Sequence, residues 1–152
     1  MTILIDIDNR QDVFDVTDEE IRLIEKAVAY CYEVEGYSCE YQLSISFVSN
    51  QEIHDLNLQY RQKDEATDVL SFPMDFQGPE LEEKLLGDIV ISADKMMEQA
   101  IEYGHSVKRE MIYLIIHSVF HLMGYDHMDD SDKRIMRQQE KKIMSLMNLS
   151  SD

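Results

Sequence analysis

Apolar positions recur along this chain with two periods, and the points where one gives way to the other divide it into strands and helices. An apolar opening, Ile3-Leu4-Ile5, predicts a short strand over Thr2 to Asp6. Thr17 and Glu20 stand three apart ahead of the stripe Ile21, Ile24, Val28 and Cys31, the pattern of a capped amphipathic helix that Gly36 ends. Leu43, Ile45 and Phe47 alternate with Ser44 and Ser46, which predicts a half-buried strand from about Tyr41 to Val48. Ser49 and Glu52 repeat the capping box and start a short helix, with Ile53, Leu56 and Tyr60 on its inner side and Arg61 at its end. Asp64 to Asp68 reads as a loop, Val69 to Phe72 as a short strand stopped by Pro73, and Gln77 to Lys84 as an acidic, solvated excursion.

The second half is more apolar. Leu86 to Ser92 predicts a strand with a continuous apolar stretch, followed by a helix from about Ala93 to Tyr103 that stops at Gly104. Ser106 caps the next helix, which carries Met111, Leu114, Ile115, Val119 and Leu122 and ends at Gly124. Because that helix is apolar almost all round, it belongs in the middle of the fold, with a last amphipathic helix from about Ser131 to Met147 packed outside it. The methionines, among them Met96, Met97, Met111, Met123 and Met136, fall at helical core spacing and read as packing.

Composition narrows the class. With 152 residues and 44% apolar content, residues 1 to 152 suit one α+β domain around a single core. No stretch reads as a secretory or membrane segment, since Ile3-Leu4-Ile5 meets Asp6 at once and the run Met111 to Ile116 stops at His117. Cys31 and Cys39 are eight apart, neither a CxxC redox pair nor a zinc knuckle, and are expected to be reduced thiols in a cytoplasmic protein. Net charge is −17, from 31 acidic against 14 basic residues, which opposes loose adhesion to RNA or DNA. The excess lies before residue 101; from there to the end, 8 acids face 7 bases.

That nearly neutral segment holds the candidate chemistry. His117 and His121 are four residues apart on the buried helix, so both imidazoles lie on one face, one turn apart. Gly124 lets the chain double back, and His127 can then approach the same point from the side. Three imidazoles with an open fourth position is a catalytic zinc arrangement, whereas structural sites are closed by four protein ligands. Asp126 is the nearest carboxylate and suits bracing a ligand better than joining the metal. Taken singly, each histidine also fits a hydrogen-bonded core or turn residue; the spacing H-x-x-x-H-x-x-G-x-x-H is what favours one bound ion. His54 and His105 read as surface residues. Arg61, on its residues alone, reads as a helix-end cation facing the dipole, Asp64 or Glu65.

The run His117-Ser118-Val119-Phe120-His121-Leu122-Met123-Gly124-Tyr125-Asp126-His127 closely resembles the signature of the YbeY family, bacterial endoribonucleases that act as ribosomal RNA maturation factors. Leu56-Asn57 and Tyr60-Arg61, followed by Ala66 to Pro73, look like the family's other motif, and Leu86 to Ser92 like a third. The resemblance implies a zincin-like fold, with a mixed four-stranded sheet, about five helices and a central metal helix. It implies one zinc ion, a role for Arg61 on the phosphate, and single-stranded RNA as substrate, in processing of the 16S 3′ end and ribosome quality control. Thr67, Asp68 and Ser71 lie in the second motif, where they suit either support of the metal and substrate or turn chemistry before a strand. Ser118 stands where many members have glycine. It also stands where peptidases with this spacing carry a general-base glutamate, which disfavours a metallopeptidase. A ribosome-assembly factor with a structural metal is the other alternative. The acid excess implies that RNA is gripped only at a local cationic cleft, or is presented by the ribosome or a ribosomal protein that supplies affinity.

Overall fold

The computed structural model of the chain describes residues 3–74, 84–125 and 129–149. Its elements run β1 (Ile5–Asn9), α1 (Asp18–Glu35), β2 (Gln42–Val48), α2 (Asn50–Arg61), β3 (Val69–Pro73), β4 (Leu85–Ser92), α3 (Ala93–Tyr103), α4 (Val107–Leu122) and α5 (Asp130–Leu146). The strands form one mixed sheet in the order β1-β2-β4-β3. β1, β2 and β4 are parallel, and β3 pairs antiparallel with β4 at the edge. Among the described residues this is the α+β architecture of four strands and five helices that the resemblance implies.

Side-chain alternation divides the sheet into two faces with different cover. Leu43, Ile45 and Phe47 on β2 and Ile89 and Ile91 on β4 are buried in the main core with α1 and α4. On the other face, Val48, Val90 and Leu70 form a smaller cluster under Ile53 of α2. Of the helices, α4 is the most enclosed. It touches α1, α3 and α5 as well as β3 and β4, and ten of its residues are buried. Such all-round burial is what its unbroken apolar pattern required.

Most boundaries agree with the pattern, and the exceptions have local causes. β1 starts at Ile5 and leaves out Ile3 and Leu4, because its pairing runs against Leu43 to Phe47; Thr2 lies outside the described residues. Pro73 does not stop β3 but is its last paired residue, tolerated because β3 is an edge strand and proline there forfeits no interior ladder bond. On α2 the inward residue is Asn57 and not Tyr60, whose side chain is exposed and lies edge-on to Phe72. The second capping box is half made: Ser49 Oγ accepts from the Glu52 N–H at 3.2 Å, while the Glu52 carboxylate turns away to Arg10. The excursion predicted over Gln77 to Lys84 lies, but for Lys84, outside the described residues.

Candidate active site

α4 is buried over most of its circumference, yet its C-terminal half carries two imidazoles into the open. His117 and His121 stand one turn apart with ring centroids 5.0 Å from each other and planes at 87°. Both line a cleft of about 710 Å³. The facing wall is built from the end of α2, the loop after it and β3, with Arg61, Lys63, Thr67, Asp68 and Ser71 on the cleft. Antiparallel pairing of β3 produces this wall: Leu70 points into the smaller core, so its neighbour Ser71 faces α4.

Arg61 is held at two points. Its Nη2 donates to the Ser71 carbonyl at 2.6 Å, and the guanidinium lies over the Phe72 ring at 5.4 Å. The pairing with Asp64 or Glu65 that its sequence position suggested is not made; Asp64 contacts His54 Nε2 at 2.6 Å instead. Among the described residues no carboxylate lies within ion-pair distance of Arg61. Asn57 sets the approach. It is buried, its side-chain amide donates to the Glu65 carbonyl at 2.9 Å, and its backbone carbonyl accepts from Lys63 N–H at 3.2 Å. Those two bonds fix the turn that follows Arg61.

Thr67 and Asp68 act on the same loop. The Asp68 carboxylate accepts from the Thr67 hydroxyl and from the Gln99 amide, each at 3.3 Å, and its carbonyl accepts from Ser92 N–H at 2.8 Å. Asp68 thereby ties the cleft wall to β4 and α3. Ser71 serves Arg61 through its backbone.

One site residue escaped the sequence reading. Glu140, on α5, is 4% exposed and lies 2.5 Å from His117 Nδ1 through one oxygen, while its other oxygen accepts from the Tyr113 hydroxyl at 3.2 Å. An ionised carboxylate only accepts, so the proton of a neutral His117 belongs on Nδ1 and any ligand role falls to Nε2. Burial, and then the Glu140 charge, push the Tyr113 hydroxyl well above its usual range, so it remains a proton donor. A buried carboxylate on the second nitrogen is how metal-binding histidines are commonly oriented. Glu140 lies 23 residues from His117 on another helix, so periodicity gave no sign of the contact; the only sequence signal was an acid at a buried position of α5.

Asp126 and His127 lie outside the described residues, and among the described residues no group of three or more metal-binding side chains is gathered. What precedes them is fixed: Gly124 adopts φ 104, and Tyr125 N–H donates to the Phe120 carbonyl at 3.0 Å, which turns the chain out of α4 just past His121. Two imidazoles on one helical face, one of them braced by a buried carboxylate, fit a divalent transition ion. Ser118 is fully buried, so its position offers no base to the cleft and the peptidase reading loses its chemistry.

Fold and cleft define a class: an α+β protein whose enclosed central helix carries paired histidines to a cleft walled by an anchored arginine. The family model described as Endoribonuclease YbeY matches residues 6–148. Endoribonuclease YbeY of Alkaliphilus oremlandii is 57% identical over 145 residues, covering 94% of this chain and 96% of that protein. Endoribonuclease YbeY of Clostridioides difficile strain 630 is 48% identical, covering 96% and 97%. The chain belongs to the endoribonuclease YbeY family. Its fold is also that of the solution structure of TM1509 from Thermotoga maritima, at TM-score 0.65 and 24% identity, covering 95% of this chain and 89% of that one.

Proposed function

We propose that this chain is a zinc-dependent endoribonuclease of single-stranded RNA that matures ribosomal RNA, including the 16S 3′ end, and serves ribosome quality control in the cytoplasm. One ion is held by His117, His121 and His127, and residues 1 to 152 form a single metal-dependent hydrolase domain. The observation that carries this reading is the placement of Arg61 and the two histidines on facing walls of one cleft. When bound, such an ion supplies an activated water and neutralises developing charge at a phosphoryl group.

The chain's own residues account for the remaining work. Arg61 presents a planar fork suited to two non-bridging phosphate oxygens, and its anchor on Ser71 means little ordering is needed when RNA arrives. Glu140 holds the His117 ring in orientation and fixes its tautomer. Asn57 and Asp68 keep the facing wall at its distance from α4 by tying the loop to α2, β4 and α3. With a net charge of −17, affinity for RNA must be local or supplied by the ribosome, so unaided cleavage is expected to be slow.

Elemental analysis of the purified protein, with RNA cleavage before and after chelation, tests the reading. Stoichiometric zinc and cleavage abolished by chelator are expected. Arg61→Ala should stay folded and zinc-loaded while cleavage falls by about 10²–10³-fold. Cleavage indifferent to chelator would overturn the hydrolase, and processing unchanged in Arg61→Ala would favour a non-catalytic assembly factor.

A further inference from the structure

The exposed side of α5 departs from the rest of this acidic chain. Five of its 14 basic residues, Lys133, Arg134, Arg137, Lys141 and Lys142, fall within ten positions, and all five are exposed. The only acid among them, Glu140, is turned inward to His117. From Lys133 onward, α5 therefore shows solvent only positive charge. Of the nine basic residues elsewhere, Arg10, Lys84, Lys95 and Lys108 each contact a carboxylate, and Arg22, Lys26, Arg61, Lys63 and Arg109 make no ion pair among the described residues. Among the described residues none of the five on α5 contacts a carboxylate.

The stripe also connects to the site. A depression of about 160 Å³ is lined by Tyr113, His117, Lys133, Arg137 and Glu140, so His117 borders both it and the main cleft. A larger one of about 560 Å³ continues along Arg109, Arg137 and Lys141. Lys133, Arg137 and Lys141 recur every four residues on one face and span about 12 Å. That matches the rise of roughly three or four stacked nucleotides at about 3.4 Å each.

We infer that the basic face of α5 is a docking track for the backbone of the RNA strand flanking the scissile bond, leading from the cleft past His117. The inference rests on the endoribonuclease reading for its ligand. Its chemistry is that of exposed cations releasing counterions from consecutive phosphates, without regard to sequence. It explains how a chain of net charge −17 grips RNA at all: the acid excess lies before residue 101, and past Asp129, Asp130 and Asp132 at its start α5 offers the strand five exposed cations.

The test is the triple variant Lys133→Gln, Arg137→Gln, Lys141→Gln in the full chain, titrated by fluorescence anisotropy with oligouridylates of about 20 and about 4 nucleotides across a salt series. The longer RNA is expected to bind the variant at least about tenfold more weakly, with the salt slope reduced by about 2 for three lost contacts at ~0.7 each. Cleavage of the short RNA should stay within about twofold, since it need not reach the track. Unchanged long-RNA affinity and slope would overturn the inference, as would equal losses for both lengths, or retained RNA binding with lost affinity for polyglutamate, which would mark a protein-docking face. If the wild type binds long RNA through the track but cuts no RNA, the endoribonuclease reading fails while the track stands.

Discussion

Glu140→Gln separates orientation of a metal ligand from simple packing, because the substitution keeps volume and removes charge. In the native chain the Glu140 carboxylate takes the His117 Nδ1 contact at 2.5 Å and the Tyr113 hydroxyl at 3.2 Å, nearly out of solvent. A glutamine oxygen can accept only one of these at full strength, and its amide end meets the other as a donor. Losing the charge-assisted bond costs about 1.5–3 kcal/mol. Relief from burying a carboxylate returns several kcal/mol of desolvation, so metal-free stability should move little in either direction. The metal feels only the loss, because His117 is less firmly oriented. Affinity should fall about 10–100-fold, which is about 1.4–2.8 kcal/mol. Competition against a chromophoric chelator gives the affinity, and thermal melts in chelator give the metal-free stability. A folded variant that binds zinc within about twofold of wild type would refute the bracing role. A large loss of metal-free stability with unchanged affinity would make Glu140 a packing residue of the α4–α5 contact.

Three further substitutions probe the same architecture. Ser118→Ala removes a fully buried hydroxyl that has no hydrogen-bond partner among the described residues; urea unfolding should show a neutral to ~1–2 kcal/mol stabilising effect, and a clear destabilisation would mean the hydroxyl is satisfied. Gly87→Ala places a Cβ 2.5 Å from the Phe72 carbonyl oxygen and 2.9 Å from Leu122 Cδ2, at a backbone φ of 151, and should cost about 3 kcal/mol or more, measured the same way. Glu110 is buried, and burial together with the Asp68 charge raises its carboxyl above the usual range. A raised carboxyl contributes stability below its ordinary value of 4.5 that is lost as pH climbs through the folded value, so Glu110→Gln should melt higher than wild type near neutrality. That gap should close as pH falls toward 4.5, and a gap independent of pH would refute the cause.

Sequence pattern revealed what depends on neighbours along the chain. α3 runs from Ala93 to Tyr103 as read, because its cap Ser92 and its stop at Gly104 are local devices. Placement of α4 at the centre followed from its apolar circumference, and so did the sharing of one face by His117 and His121. An i, i+3, i+7 stripe puts Tyr60 inside, but α2 lies on the smaller core, where the Asn57 side-chain amide is drawn in to satisfy the Glu65 carbonyl. A polar residue bonded to backbone groups outcompeted an aromatic one able to lie on Phe72 at the surface.

Contacts between distant segments left no such trace, and the site is made of them. Arg61 has a helix-end position that suggests a local carboxylate, yet Asp64 is taken by His54 and the guanidinium goes ten residues on to Ser71. Glu140 sits among cations on α5, where periodicity marks it merely as a polar residue on an inner face. Its burial makes sense only once Tyr113 and His117 are brought against it. The two cases share a cause. Buried or anchored charges take partners that satisfy their geometry, and the fold, not sequence distance, decides which partners are within reach. A brace drawn from α5 and an arginine fixed by β3 hold the two walls of the cleft through separate elements, both packed on α4. The distance from imidazole to guanidinium is thus set by the packing of the core, so a core substitution that shifts α4 against β3 should impair cleavage with every site residue intact.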